Sequence, residues 1–148
     1  MKPIALILVF IMQISCTAIQ QEKEVKQLIE KESYCFHTNS DRSKFLEYWG
    51  NTKDMKLSYS GVERTARFVS MSDIKINANN GTMPAATMAK SEYSNYAIRV
   101  SGTVAWAMFD QKAVTPEGRE TYTHEFRFLE KVKGDWKIIA SSIHQYIP

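Results

Sequence analysis

Apolar residues recur at two periods along this chain, and the change of period divides it. From Gln20 to His37, Val25, Leu28, Ile29, Cys35 and Phe36 return at steps of three, four and seven, with charged residues on the other face. That is the spacing of an amphipathic helix, and Glu22 and Lys26 add an i,i+4 pair in the favourable order. The stretch "TNSD" (38–41) breaks this helix and offers Ser40 or Asp41 as the cap of a second, short one. In that helix Phe45, Leu46 and Trp49 share a face, and Gly50-Asn51 ends it. The period then drops to two. Met55, Leu57 and Tyr59 alternate with polar residues in a short strand. Residues 62–72 return to a helical spacing, with Val62, Ala66 and Val69 aligned, and "INANNGTMP" (76–84) reads as a loop. Beyond it the strands follow one another: 91–100, 103–114, 119–132 and 136–147, joined at Ser101-Gly102, at 115–118 and at Lys133-Gly134-Asp135. Short turns between adjacent strands imply antiparallel pairing. Helices followed by an antiparallel meander predict an α+β fold, with the helices packed on one face of a curved sheet.

The first residues obey neither pattern. "MKPIALILVFIMQISCTA" has Lys2, then an apolar run from Ile4 to Ile14, then small residues. This is the layout of a secretory signal peptide over residues 1–18, followed by a domain over 20–148. The run is shorter than the roughly 20 apolar residues a membrane-spanning helix needs. Cleavage after Ala18 leaves Cys16 and Ala18 at the small-residue positions. The alternative is a lipoprotein signal in which Cys16 is lipidated, with Gln13 a poor fit to such a motif. The expectation is export to a periplasmic or extracellular location, with membrane attachment only if Cys16 carries a lipid.

Composition narrows the class. Of 148 residues, 44% are hydrophobic and 24% charged, which excludes a disordered chain and supports one globular domain. The net charge of +3 falls by one when Lys2 is removed, and basic and acidic residues are interspersed as in "EKEVKQLIEKE". So weak a bias argues against nucleic acid as a partner. With Cys16 removed or lipidated, Cys35 stands alone and no internal disulfide forms. Its setting on the apolar side of the helix suits a small buried hydrophobe.

Two stretches carry a family resemblance. "NYAIRVSGTVAWAMFDQ" (95–111) is similar to a strand-turn-strand in which an aromatic follows the turn. "EFRFLEKVKGDWKII" (125–139) is similar to a final hairpin with a basic-glycine turn and then a tryptophan. With the element order, they make nearly the whole chain from residue 20 resemble the nuclear transport factor 2-like superfamily, including its SnoaL-like members and exported members of uncharacterised function. The resemblance implies a cone-shaped curved sheet packed on the N-terminal helices, a pocket at the wide end, and a homodimer through the outer face of the sheet. It implies no cofactor. Members include isomerases, dehydratases, cyclases, ligand-binding domains and assembly domains, so the fold leaves the chemistry open.

Candidate residues follow from strand parity. Thr121, Thr123, Glu125, Arg127 and Leu129 fall on one side of their strand, and Tyr122, His124, Phe126 and Phe128 on the other. By resemblance, Arg127 corresponds to an arginine that lines the cone in a kinase association domain and meets a carboxylate, a geometry guanidinium groups suit. Glu125 is placed to hold it. Trp49, Tyr59 and Trp106 are candidates to line the pocket, and His144 to sit at its mouth. The plainer alternatives are an outward-facing Arg127, two core tryptophans and an edge histidine. His124 and His144 have no metal-ligand spacing, and no metal site is expected. Ser141-Ser142 lacks a nucleophile elbow, and no phosphate loop is present. Three functions stay open: an exported domain that binds a small carboxylate-bearing or aromatic molecule, a small isomerase-, dehydratase- or cyclase-type enzyme, or a ligand-free assembly module.

Overall fold

In a computed structural model of the chain, residues 3–37, 42–50, 55–62, 67–70, 88 and 90–148 are described, with side chains placed from Ala18 onward apart from 42, 43 and 67. The amphipathic segment lies in one long helix, α1 (Pro3–His37), which also contains the apolar leader run. Its C-terminal part meets the sheet. There Val25, Ile29, Glu32, Ser33 and Phe36 form the inward stripe, and Val25 and Ile29 are fully buried. Each such side chain contributes about 1.5–3 kcal/mol of transfer free energy. A short 3-10 helix (Arg42–Tyr48) follows and inserts Phe45 beneath α1, edge-on to Phe36 at 5.3 Å.

Six strands complete the fold: β1 (Lys56–Ser60), β2 (Arg67–Ser70), β3 (Lys90–Ser101), β4 (Val104–Val114), β5 (Glu120–Val132) and β6 (Asp135–Tyr146), in the spatial order β2-β1-β6-β5-β4-β3. The four C-terminal strands form the expected antiparallel meander. Strand β1 instead lies parallel to β6, so the α+β sheet is mixed. The expected helix over 62–72 is corrected: residues 67–70 are strand β2, paired antiparallel with β1 through Leu57↔Val69 and Ser58↔Phe68. The free edge of β1 supplies backbone partners, which outweigh a weak helical spacing of three apolar residues. The cap at Ser40 or Asp41 and the loop 76–84 lie outside the described residues.

Two irregularities decide which side chains face α1. In β3 the register shifts between Ser94 and Ala97 around Asn95, whose φ is 53°, a left-handed conformation asparagine tolerates better than most residues. In β6, Phe128 pairs with Ala140 and Leu129 with Ile138, so Ile139 is an extra residue. Such a bulge reverses the facing of every residue beyond it. Trp136 and Ile138 point to the core before the bulge, and Ser141 and Ile143 after it. The β5–β6 hairpin turns on Lys133 and Gly134, with φ of 54° and 96°, the two positive values of a type I′ turn.

The core closes around Phe45, Ile29, Leu129, Ile138 and Val25, all fully buried. Leu129→Ala is therefore expected to cost about 2–5 kcal/mol in chemical denaturation. A loss well under 1 kcal/mol would remove Leu129 from the core.

Candidate functional site

The curved sheet is wider than the helices can fill, and the gap is a cavity of about 430 Å³. Its wall is largely apolar and aromatic, drawn from Phe36, Phe45, Trp49, Leu57, Ala113 and Ile143. Its floor is not. The odd-numbered residues of β5 bring Thr121, Thr123, Glu125 and Arg127 to the cavity, and α1 brings Glu32 to meet them. Of the residues expected from sequence, Arg127, Glu125, Trp49 and Tyr59 are brought together here. Trp106 and His144 are not, and both are corrected. Trp106 is an even-numbered residue of β4 between the buried Ala105 and Ala107, so it projects from the outer face. His144 lies beyond the Ile139 bulge, which turns it outward and puts Ser141 and Ile143 in its place.

Arg127 organises the floor. It is 4% exposed, and a buried cation needs compensation on every side. Its Nη2 lies 2.6 Å from Glu125 Oε2 and 3.9 Å from Glu32 Oε2. The closer contact is an ion pair that lacks the alignment of a hydrogen bond, and Glu125 Oε2 has no other donor. Arg127 Nη1 donates to Ser141 Oγ at 2.5 Å and weakly to the Phe126 carbonyl at 3.4 Å. The guanidinium also sits over the Phe109 ring, 5.6 Å from its centroid. Its Nε is buried without a hydrogen-bond partner. Thr123 Oγ1 donates to Glu125 Oε1 at 2.8 Å and fixes that carboxylate from the solvent side.

Glu32 completes the group, and the sequence reading missed it. It sits on the apolar stripe of α1 seven residues after Val25, and an acid in that position was the available signal. Trp49 Nε1 donates to its Oε1 at 2.8 Å. Burial pushes the Glu32 carboxyl above its ordinary value of 4.5. Arg127 and the Trp49 hydrogen bond oppose the rise, and Glu125 adds to it. One guanidinium thus stands between two carboxyls, close to Glu125 and distant from Glu32.

Further along the wall, Gln111 is 4% exposed yet satisfied. Ser33 Oγ donates to its Oε1 at 3.3 Å, and its Nε2 contacts Ser91 Oγ at 3.1 Å and His37 Nε2 at 3.2 Å. Tyr59 donates its hydroxyl to Gln145 Oε1 at 2.8 Å.

The Glu32 carboxyl has a consequence for stability. Its folded pKa is above its unfolded one, so the stability it contributes is complete below the ordinary value and is lost as pH rises through the raised one. Glu32→Gln keeps the shape, and its side-chain oxygen still accepts from Trp49. It is expected to flatten the fall of the melting temperature as pH rises above the ordinary carboxyl range, and to stabilise the chain, once the parent's Glu32 has ionised, by about 1–3 kcal/mol. Equal pH profiles for the parent and the variant would contradict a raised Glu32 carboxyl.

No family model matches the chain, and no curated protein does. Solved structures do match it. An NTF2-like protein of unknown function from Shewanella baltica superposes with a TM-score of 0.62 at 14% identity, covering 88% of this chain and 97% of that one. One from Pseudomonas putida gives 0.66 at 12% identity, covering 88% and 90%. A protein provisionally assigned as a scytalone dehydratase from Novosphingobium aromaticivorans gives 0.61 at 16% identity, covering 87% and 86%. At such identities the likeness concerns the backbone. By that likeness the chain has the fold of the nuclear transport factor 2-like superfamily.

Proposed function

We propose that this chain is an exported domain that binds a small, largely apolar molecule, aromatic in character and carrying one hydrogen-bonding group, in the hollow of the cone. The observation that carries this reading is the unfilled cavity of about 430 Å³ with aromatic walls, a volume within the range typical of small-molecule sites. An assembly module has no use for such a space, and side chains would fill it at normal packing density. Export draws its support from Lys2 and the apolar run behind it. Among the described residues no helix is long and apolar enough to cross a membrane.

The floor favours an uncharged head over a carboxylate. Arg127 already holds Glu125 at 2.6 Å. An incoming carboxylate competes with Glu125 for the same guanidinium and meets the Glu125 charge in a poorly screened setting. A hydroxyl or carbonyl group meets no such repulsion.

A second reading is proton transfer of the isomerase or dehydratase type, in keeping with the name of one structural neighbour. It is favoured by the unlike settings of Glu32 and Glu125. Two carboxyls in one cavity, one pushed toward its protonated form and one ion-paired, are the arrangement of an acid and a base. The outer face carries exposed Met108 and Val104 in the first half of β4, which supports a homodimer through that part of the face. Sedimentation of the mature chain at twice its own mass is the expected result.

The test of the main reading is a thermal-shift and calorimetric panel of small phenols, aromatic ketones and matched aromatic carboxylates. An uncharged member at a hundredfold excess over its Kd should stabilise the chain by about 2.7 kcal/mol. Ala113→Leu, which fills part of the cavity, should abolish the shift with the fold intact. No shift from any compound, or the same shift in Ala113→Leu, would refute binding in the cone. A preference for carboxylates would refute the neutral-head assignment. If the second reading holds, Glu32→Gln abolishes turnover of a bound ketone or alcohol and leaves its affinity.

A further inference from the structure

The strand register builds a polar row across the outer face, on the opposite side of the sheet from the cavity. Asp110 on β4 pairs with His124 on β5, His124 with His144 on β6, and His144 with Ser60 on β1. The two histidines, far apart in sequence, are therefore directly opposite each other on one face. Side chains so paired have Cβ atoms about 4.5–5.5 Å apart. Two imidazoles so placed can turn toward one ion between them, held by metal–nitrogen bonds of about 2.0–2.1 Å.

The ring of His124 is fixed in the way metal-binding imidazoles are. Its Nδ1 contacts Asp110 Oδ1, and Asp110 Oδ2 accepts from Asn95 Nδ2 at 2.6 Å. An ionised carboxylate only accepts, so the proton of a neutral ring is on Nδ1 and the lone pair on Nε2. Stacking on Tyr146, with centroids 4.3 Å apart and planes within 10°, sets the ring plane. His144 has Ser60 Oγ 2.6 Å from Nδ1 and Ser142 Oγ 2.8 Å from Nε2. A neutral ring has one acceptor nitrogen, and the serine hydroxyl on it is a readily exchanged partner.

We propose that His124 and His144 form a two-imidazole site for a divalent transition-metal ion of the copper or zinc kind, with Asp110 as the positioning residue for His124. Among the described residues no group of three or more His, Cys, Asp or Glu is placed around one ion, so water completes the coordination and the site is an open one. Imidazole ligands favour copper over zinc, while calcium and magnesium require oxygen. The site does not depend on any occupant of the cone.

Titration calorimetry of the chain with Cu²⁺, Zn²⁺ and Ca²⁺ tests this. One Cu²⁺ per chain should bind, Zn²⁺ more weakly, and Ca²⁺ not at all, with two nitrogen couplings in the copper electron paramagnetic resonance spectrum. His124→Ala and His144→Ala, both at exposed positions, should each remove the site and keep the parent melting curve. Asp110→Asn should keep the stoichiometry and weaken binding about 10–100-fold. Unchanged copper binding in either histidine variant, or calcium binding as tight as zinc, would overturn the site. Unchanged affinity in Asp110→Asn would overturn the positioning role.

Discussion

A guanidinium sealed inside an apolar cone is the constraint to which the rest of this structure answers. Arg127 is 4% exposed, and its charge cannot be left uncompensated there. Glu125 supplies the counter-charge from the same strand and the same face. Ser141 caps Nη1 from β6, and the Phe109 ring lies under the guanidinium plane. The second acid, Glu32, is then in excess. Neutralising it by a proton is cheaper than burying a further charge, and burial shifts it in that direction. Each of these partners comes from a different point along the chain. Breaking any one exposes the others to an unpaired buried charge.

The backbone irregularities serve the same arrangement. Without the extra residue at Ile139, the parity that buries Trp136 and Ile138 would carry on to residues 140 and 142, and Ser141 would face outward. Arg127 would lose a hydrogen-bond acceptor. The shift at Asn95 does the corresponding work on β3. It keeps Tyr93 packed on Phe109 before the bulge and Tyr96 stacked on it after. Strands with strict alternation would curve less and leave no space for a cavity between sheet and helix. The hollow and its polar floor therefore share one cause.

Much of the fold was legible because local rules were sufficient for it. The type I′ turn at Lys133-Gly134, the period-two strands and the helical stripe ending near Phe36 each carry their own signal. Pairings between distant segments do not. The parallel contact of β1 with β6 and the strand character of Arg67–Ser70 depend on a free sheet edge that no window of sequence reveals. The site divides in the same way. Arg127, Glu125, Trp49 and Tyr59 were readable from parity and resemblance. Glu32 was hidden as an acid within an apolar stripe, and Ser141 behind a bulge. The same bulge misplaced His144, which parity alone would have turned inward. The opposition of His124 and His144 is a matter of register, which their spacing in sequence does not disclose.

Of the two carboxyls around Arg127, Glu32 is the one that burial raises above the ordinary carboxyl range. Infrared spectroscopy of carboxyl-labelled chain across a pH series reads this directly. A protonated-carboxyl band that outlasts those of the exposed acids as pH rises is expected in the parent, at lower pH in Glu125→Gln, where Glu32 must serve as the counter-charge of Arg127, and not at all in Glu32→Gln. Loss of that band in the parent together with the bands of the exposed acids, within the ordinary carboxyl range, would contradict a raised Glu32, as would its survival in Glu32→Gln.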